Sequence, residues 1–116
     1  MTEKFVERID AVFLPVKNLE ESLAWYQSVF HFPLRWKNKR MAGLEIANNC
    51  GFHLVEVPDY EPSDQYTPLN FVVEDVKKVR EMLIRKNVTV SNWRNGEPKR
   101  FDVTDINNNL ISVIQL

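Results

Sequence analysis

The segment PVKNLEESLAWY (residues 15–26) repeats in residue class as VVEDVKKVREML (residues 72–83), at an offset of 57 positions. Asn18 of the first segment aligns with Asp75 of the second, and apolar positions align with apolar positions. Two copies of 57 residues nearly fill a chain of 116. The pattern predicts one duplicated supersecondary unit, whose copies pack together because neither can cover its apolar face alone.

Each copy begins with a strand that leads directly into a helix. In the first strand Val12, Leu14 and Val16 share one face, which we expect to lie under a helix, and Asn18 and Asp75 are suitable N-caps for the two helices. Three strand-like runs follow each helix: LRWKN, MAGLEIA and GFHLVEV, then VTVSNW, KRFDVTD and LISVIQL. The predicted order is βαβββ twice. This is an α+β domain in which two modules form a curved mixed sheet with the helices outside.

A stretch with three prolines, VPDYEPSDQYTP, separates the two copies. Prolines and short polar residues favour a connecting loop over a continued strand. We therefore predict a single domain over residues 1–116, with module one at about 7–57, a linker at about 58–67 and module two at about 68–116. Trp36 and Trp93 also align at the offset of 57, which supports the duplication.

The composition excludes several classes of function. The chain is 44% hydrophobic and 27% charged, with a formal net charge of -1, so it has no electrostatic attraction for nucleic acid or an anionic membrane. Its apolar runs are short, and MTEKFVERID is charged where a signal peptide is apolar, which predicts a cytoplasmic protein. The single cysteine, Cys50, predicts a free thiol.

The duplicated βαβββ order resembles the vicinal oxygen chelate superfamily, which includes glyoxalase I, bleomycin-resistance proteins, fosfomycin-resistance enzymes and extradiol dioxygenases. The resemblance covers nearly the whole chain and is carried by IDAVFLPV, NLEESLAWY, FVVEDV, RKNVTV and DINNNLISVIQL. It implies a homodimer, because relatives of this fold usually pair. It does not select an activity, since the superfamily places isomerases, transferases, dioxygenases and binding proteins on one scaffold.

In catalytic members of the superfamily, four inward-facing strand positions usually hold a divalent metal through His, Glu or Gln. The resemblance places these positions at Ala11, His53, Pro68 and Ser112. Protein sites for zinc, iron, manganese or nickel normally need three or more side-chain ligands, and three of these four residues are not such ligands. We therefore expect no cofactor, and His53 is the only candidate for a catalytic residue.

The residues that neighbour these positions on the same strand faces are mostly apolar, which predicts an apolar small-molecule cleft. The expected ligand-binding residues are Phe13, Trp36, His53, Val55, Asn70, Trp93, Phe101 and Ser112.

Three functions remain open. The favoured one is metal-free binding of a hydrophobic or aromatic small molecule, similar to the bleomycin-resistance proteins. The alternative is a glyoxalase, lyase or dioxygenase-like enzyme with an atypical divalent-metal site that includes His53, or with His53 as a general base. The third is a structural dimer whose cleft is filled by its own side chains.

Overall fold

The computed structural model describes residues 2–47 and 50–116, and these residues contain the predicted elements in the predicted order. The first module consists of β1 (Ala11–Val16), α1 (Leu19–Phe30), β2 (Leu34–Lys37), β3 (Met41–Ala47) and β4 (Cys50–Glu56). The second consists of β5 (Asn70–Val72), α2 (Val76–Arg85), β6 (Thr89–Val90), β7 (Lys99–Thr104) and β8 (Leu110–Gln115).

Each module forms its own four-stranded mixed sheet. The strand orders are β1-β4-β3-β2 and β5-β8-β7-β6. In both sheets the strand before the helix pairs in parallel with the last strand of its module, and the other pairs are antiparallel. The α+β class with two βαβββ modules is therefore confirmed. The eight strands form two separate hydrogen-bonded sheets, one in each module.

The helix starts are fixed by side chains that satisfy free backbone N–H groups. Asn18 Oδ1 accepts from the amide of Glu21 at 2.9 Å, and Asp75 Oδ1 accepts from the amide of Lys78 at 3.1 Å. The N-terminus of α1 has a second cap, which comes from β4: Glu56 Oε2 accepts from the backbone amide of Leu19 at 2.8 Å. α1 and α2 have 12 and 10 residues, and no helix in the described ranges is long and apolar enough to cross a membrane.

The face of β1 that carries Val12, Leu14 and Val16 packs under α1, as predicted. Leu14 and Val16 are buried against Leu23 of the helix, and Val12 is partly buried beside them. The opposite face of β1 is not covered in the same way, since the side chain of Phe13 is 56% exposed. The alternation of the sequence thus assigned the two faces of this strand correctly.

A buried polar network joins the modules. The hydroxyl of Tyr26 on α1 donates to Asp105 Oδ2 at 2.6 Å. The backbone amides of Asn107 and Asn109 donate to Asp105 Oδ1 at 2.7 and 2.8 Å. Asn109 also donates from its side chain to the Pro15 carbonyl at 2.9 Å. Burial and the adjacent Asp105 carboxylate raise the pKa of Tyr26 well above its usual 10.0. The network holds the turn between β7 and β8 against β1 and α1.

Candidate functional site

Two strand faces point away from the helices, and we call them the first and second open faces. The first open face belongs to the first sheet and is formed by Ala11, Phe13, Gly51 and His53, with Trp36 beside them. Ala11 pairs with Gly51 and Phe13 pairs with His53 in the parallel ladder. Two of the four positions implied by the resemblance, Ala11 and His53, therefore share one face.

The imidazole of His53 is held between two aromatic rings. Its ring centroid lies 4.9 Å from that of Phe13 and 4.8 Å from that of Trp36, with both contacts edge-to-face. Gly51 makes room for it, because a Cβ added there would lie 2.9 Å from His53 Nε2. Gly43 does the same for Trp36, whose indole occupies the space that a Cβ on Gly43 would need.

His53 Nδ1 is buried and has no hydrogen-bond partner among the described residues. A buried polar atom without a partner costs about 1–3 kcal/mol, so such atoms are rare in folded proteins. The imidazole is therefore fixed by its aromatic neighbours and by the space over Gly51. It is not fixed by a structural hydrogen bond within the described ranges.

A small cavity of about 290 Å³ opens beside this imidazole on the first open face. Its lining includes Arg8, Asp10 and Arg35, together with Trp36 and His53. Arg8 Nη1 forms an ion pair with Asp10 Oδ1 at 2.8 Å. The cavity is thus polar, which differs from the mostly apolar cleft expected on this face.

The second open face is closed by its own charged residues. Ser112 of β8 stands between Asn70 of β5 and Asp102 of β7 in the ladder. Asp102 Oδ2 accepts from Arg94 Nε at 2.9 Å and Nη2 at 2.6 Å, and the Asp102 side chain is only 9% exposed. Ser112 itself is 5% exposed. The hydroxyl at this position is therefore covered, and the carboxylate nearest to it is already paired.

The residues present do not fit the divalent metal that the family fold implies. Pro68 precedes β5, so the ladder partner of Ser112 is Asn70, and Asp102 is engaged by Arg94. Across residues 2–47 and 50–116, no three His, Cys, Asp or Glu side chains are grouped closely enough to hold a metal ion. Neutral amide and hydroxyl oxygens are poor ligands for zinc or nickel, so we derive no chemistry through a metal.

A larger, apolar cavity lies between the modules. This cavity has a volume of about 940 Å³. Most of its lining comes from the helices and from helix-facing residues of the sheets, among them Val12, Phe30, Phe52, Phe71, Val79 and Met82, and these residues make it apolar. Asn70 and Val72 of β5 also line it.

The structure distributes the eight predicted ligand-binding residues over different surroundings. Trp36 and His53 line the small cavity, and Asn70 lines the large one. Phe13 is exposed on the first open face and Val55 is half-buried, paired with Pro15. Ser112 is buried on the second open face.

Two of the predicted residues lie on the wrong side of the second sheet for an open-face cleft. Phe101 is fully buried in the core under α2, because it pairs with Val113 on the helix-facing side. Trp93 packs against Phe101 at 5.7 Å and under the Arg80 guanidinium at 5.2 Å. Trp36 and Trp93 are thus equivalent in the sequence repeat but not in their surroundings.

Sequence reasoning missed Arg35 and Arg8 as site residues. The ladder between β2 and β3 contains a bulge: Leu34 pairs with Leu44, but Trp36 pairs with Gly43. Arg35 is the extra residue, and a bulge changes the direction of the side chains around it. A simple alternation count along LRWK assigns Arg35 and Trp36 to opposite faces, so no sequence signal indicated that both line one cavity.

Comparison with known proteins defines the class to which this chain belongs. A model of the Glyoxalase/Bleomycin resistance protein/Dioxygenase superfamily matches residues 8–113. The chain belongs to this superfamily, which confirms the resemblance drawn from the sequence. No curated protein matches the chain significantly.

Solved structures show the same fold at low sequence identity. The antibiotic-binding protein TnmS3 from Streptomyces sp. CB03234 has a TM-score of 0.83 at 18% identity, covering 97% of this chain and 98% of that one. A putative glyoxalase family protein from Bacillus anthracis has a TM-score of 0.83 at 19% identity, covering 98% of both chains. Lactoylglutathione lyase from Agrobacterium tumefaciens has a TM-score of 0.75 at 14% identity, covering 97% of this chain and 96% of that one.

Proposed function

We propose that this protein binds a small organic molecule with a hydrophobic or aromatic body, without a metal cofactor, and that it acts as a homodimer. The observation that carries the proposal is the cavity of about 940 Å³ between the modules. Pockets for drug-sized ligands have volumes of roughly 300–1,000 Å³ and are lined mainly by apolar and aromatic side chains. The intermodule cavity has this size and this lining.

Aromatic rings supply the flat surface in this cavity. The ring of Phe71 lies 5.3 Å from Phe30, 5.4 Å from Phe32 and 5.5 Å from Phe52, all in edge-to-face contact. Such a cluster presents both ring faces and ring edges, which suits an aromatic guest. All four residues are at least partly buried, so a ligand among them would be shielded from water.

Backbone groups of β5 supply polar contacts in the same cavity. The amide of Ser112 donates to the Leu69 carbonyl at 3.3 Å, and the amide of Val73 donates to the Ile114 carbonyl at 2.8 Å. Alternate residues of a parallel strand bond to the same neighbour, so the N–H and C=O groups of Asn70 and Val72 point away from β8. Both residues line the cavity, where these groups can orient a ligand by hydrogen bonds.

The similarity to TnmS3 supports binding, because that protein is described as antibiotic-binding. The lactoylglutathione lyase is the corresponding precedent for the enzyme alternative. The metal-dependent form of that alternative needs a set of metal ligands, and the described residues around His53 do not provide one. We therefore propose binding and do not propose catalysis.

The experiment that tests binding measures the fluorescence of 1-aminoanthracene, a neutral three-ring probe, during titration with the protein. We expect saturable binding, and we expect Met82→Trp to weaken it at least tenfold because the indole fills the cavity. Ile84→Trp is the matched control, since Ile84 lies on the same helix but is 46% exposed and does not line the cavity. Equal binding by both variants, or no binding by the wild type, would refute the proposal.

The proposed homodimer rests on the exposed apolar surface of the first open face. Phe13 is 56% exposed there and lines neither cavity. A second copy that covers its ring would remove this apolar area from water. Sedimentation at micromolar concentration should give twice the chain mass of 13.7 kDa.

Phe13→Arg should convert the dimer to a monomer, because it places a charge in the middle of the buried contact. Phe5→Arg is the control, since Phe5 is 90% exposed and lies before the first strand. A wild-type protein that sediments at 13.7 kDa throughout this range would contradict the dimer and leave the binding proposal intact.

A further inference from the structure

The small cavity on the first open face has a property that the proposed apolar ligand does not explain. Its lining contains two arginines and one aspartate, of which Arg8 and Asp10 form an ion pair with each other. None of the ion pairs between described residues includes Arg35. The cavity therefore carries one positive charge that is not balanced by its other charged lining residues.

Arg35 reaches this position through a specific irregularity of the backbone. The bulge in β2 places both Arg35 and Trp36 at the wall of one cavity, although they are adjacent in the strand. Bulges occur frequently beside functional sites, where they redirect a side chain. The bulge leaves Arg35 unpaired in the ladder, and Arg35 and His53 line the same cavity.

His53 supplies the second feature. Its ring is held edge-on by Phe13 and Trp36, and its Nδ1 is buried without a partner among the described residues. Its Nε2 lies over Gly51, which also lines the cavity. Because Nδ1 is buried, the ring nitrogen that remains for a ligand in the cavity is Nε2, which forms no hydrogen bond with the described residues.

We propose that this cavity binds the carboxylate of a small organic acid, with the Arg35 guanidinium as its charge partner and a ring nitrogen of His53 as its hydrogen-bond partner. A guanidinium binds the two oxygens of a carboxylate through parallel N–H bonds. A monoanion matches the single unbalanced charge, whereas a phosphate dianion would exceed it. This proposal rests on the proposed small-molecule binding and adds the class of ligand, an aryl or alkyl carboxylic acid.

The position of the two cavities supports one amphipathic ligand. Ala47, Cys50 and Gly51 line both the small polar cavity and the large apolar one. The two cavities therefore lie on either side of the start of β4. An acid whose apolar body occupies the larger cavity would present its polar end near this strand, close to Arg35.

The test is isothermal titration calorimetry with 2-naphthoate and with 2-naphthamide, its neutral counterpart of nearly equal shape. We expect the wild-type protein to bind naphthoate at least tenfold more tightly than naphthamide. Arg35→Gln should abolish this preference while leaving naphthamide binding within twofold. Arg85→Gln is the control, because Arg85 is an exposed arginine of α2 that lines neither cavity. The preference should also shrink as salt is raised.

Three results would overturn the proposal. Equal affinity of the wild type for naphthoate and naphthamide would exclude an anion site, while 1-aminoanthracene binding would still support the apolar cavity. An equal loss of both ligands in Arg35→Gln, with a lowered melting temperature, would assign Arg35 a structural role. Tighter binding of phenyl phosphate than of naphthoate would reject the carboxylate as the ligand group.

Discussion

The two open faces belong to copies of one structural unit, yet they satisfy their polar groups differently. On the second open face, Asp102 is bound by Arg94 and is only 9% exposed. On the first, His53 is held by aromatic rings and its buried Nδ1 has no partner among the described residues. A polar group satisfied within the chain stabilises the fold, whereas a buried unsatisfied one costs stability. This difference is the reason why the proposed carboxylate contact is placed on the first module.

The largest effect in this comparison should come from breaking the ion pair of the second face. Arg94→Ala leaves the buried Asp102 carboxylate without its partner, and we expect a loss of about 2 kcal/mol in the free energy of unfolding. This is less than for a fully buried pair, because the Arg94 side chain is 50% exposed. Chemical denaturation measures this loss in the free energy of unfolding. Arg8→Ala is the matched control on the first face, where the pair with Asp10 is 62% and 80% exposed, and it should change stability by less than about 0.5 kcal/mol.

The second prediction tests whether the two modules, which the contact between Tyr26 and Asp105 joins, unfold as one cooperative unit. The raised pKa of Tyr26 means that the folded protein keeps the phenol neutral at a pH where the unfolded chain ionises it. Stability from this residue is complete well below pH 10 and is lost as the pH rises through 10 and above it.

Unfolding free energies from pH 8 to pH 11 should therefore fall more steeply for the wild type than for Tyr26→Phe. Tyr60 and Tyr66 are present in both proteins and cancel in the difference. Parallel curves would show that the contact between Tyr26 and Asp105 does not contribute to global stability.

A third, smaller effect concerns the space reserved for the imidazole. A Cβ in Gly51→Ala would lie 2.9 Å from His53 Nε2 and 3.3 Å from the Ala11 Cβ, and we expect a cost of about 1 kcal/mol in unfolding free energy. In a His53→Ala background the same change should cost much less, because the nearer of the two contacts is gone. Equal costs in both backgrounds would mean that Gly51 is needed for the backbone and not for the imidazole.

Metal ions should have the smallest effect on stability. The residues of the two open faces do not together supply the side chains that would hold a metal ion. EDTA, zinc, nickel, manganese and iron should leave the melting temperature unchanged, and protein purified without an affinity tag should hold no stoichiometric metal. A metal-dependent rise in melting temperature that disappears in His53→Ala would favour the metalloenzyme alternative over the binding proposal.

The sequence predicted much of this fold because local physical chemistry decides it. The repeat at residues 15–26 and 72–83 gave both strand-to-helix units, and Asn18 and Asp75 cap the two helices as expected. Alternation in β1 also assigned the correct face to Leu14 and Val16. These features depend on hydrogen bonds and side-chain spacing within a few residues, so they are visible in the chain itself.

The candidate site depended on tertiary structure at the points where that regularity fails. A bulge, which no alternation pattern encodes, brings Arg35 beside Trp36 and His53, so the cavity on the first open face is polar and not apolar. Phe101 has the residue type of a ligand contact, but its pairing with Val113 turns it into the core. The sequence by itself determined the two modules, their helix starts and the helix-facing residues of β1. The register of the strands and the packing between the modules decided the rest, because contacts between residues distant in the chain have no local signal.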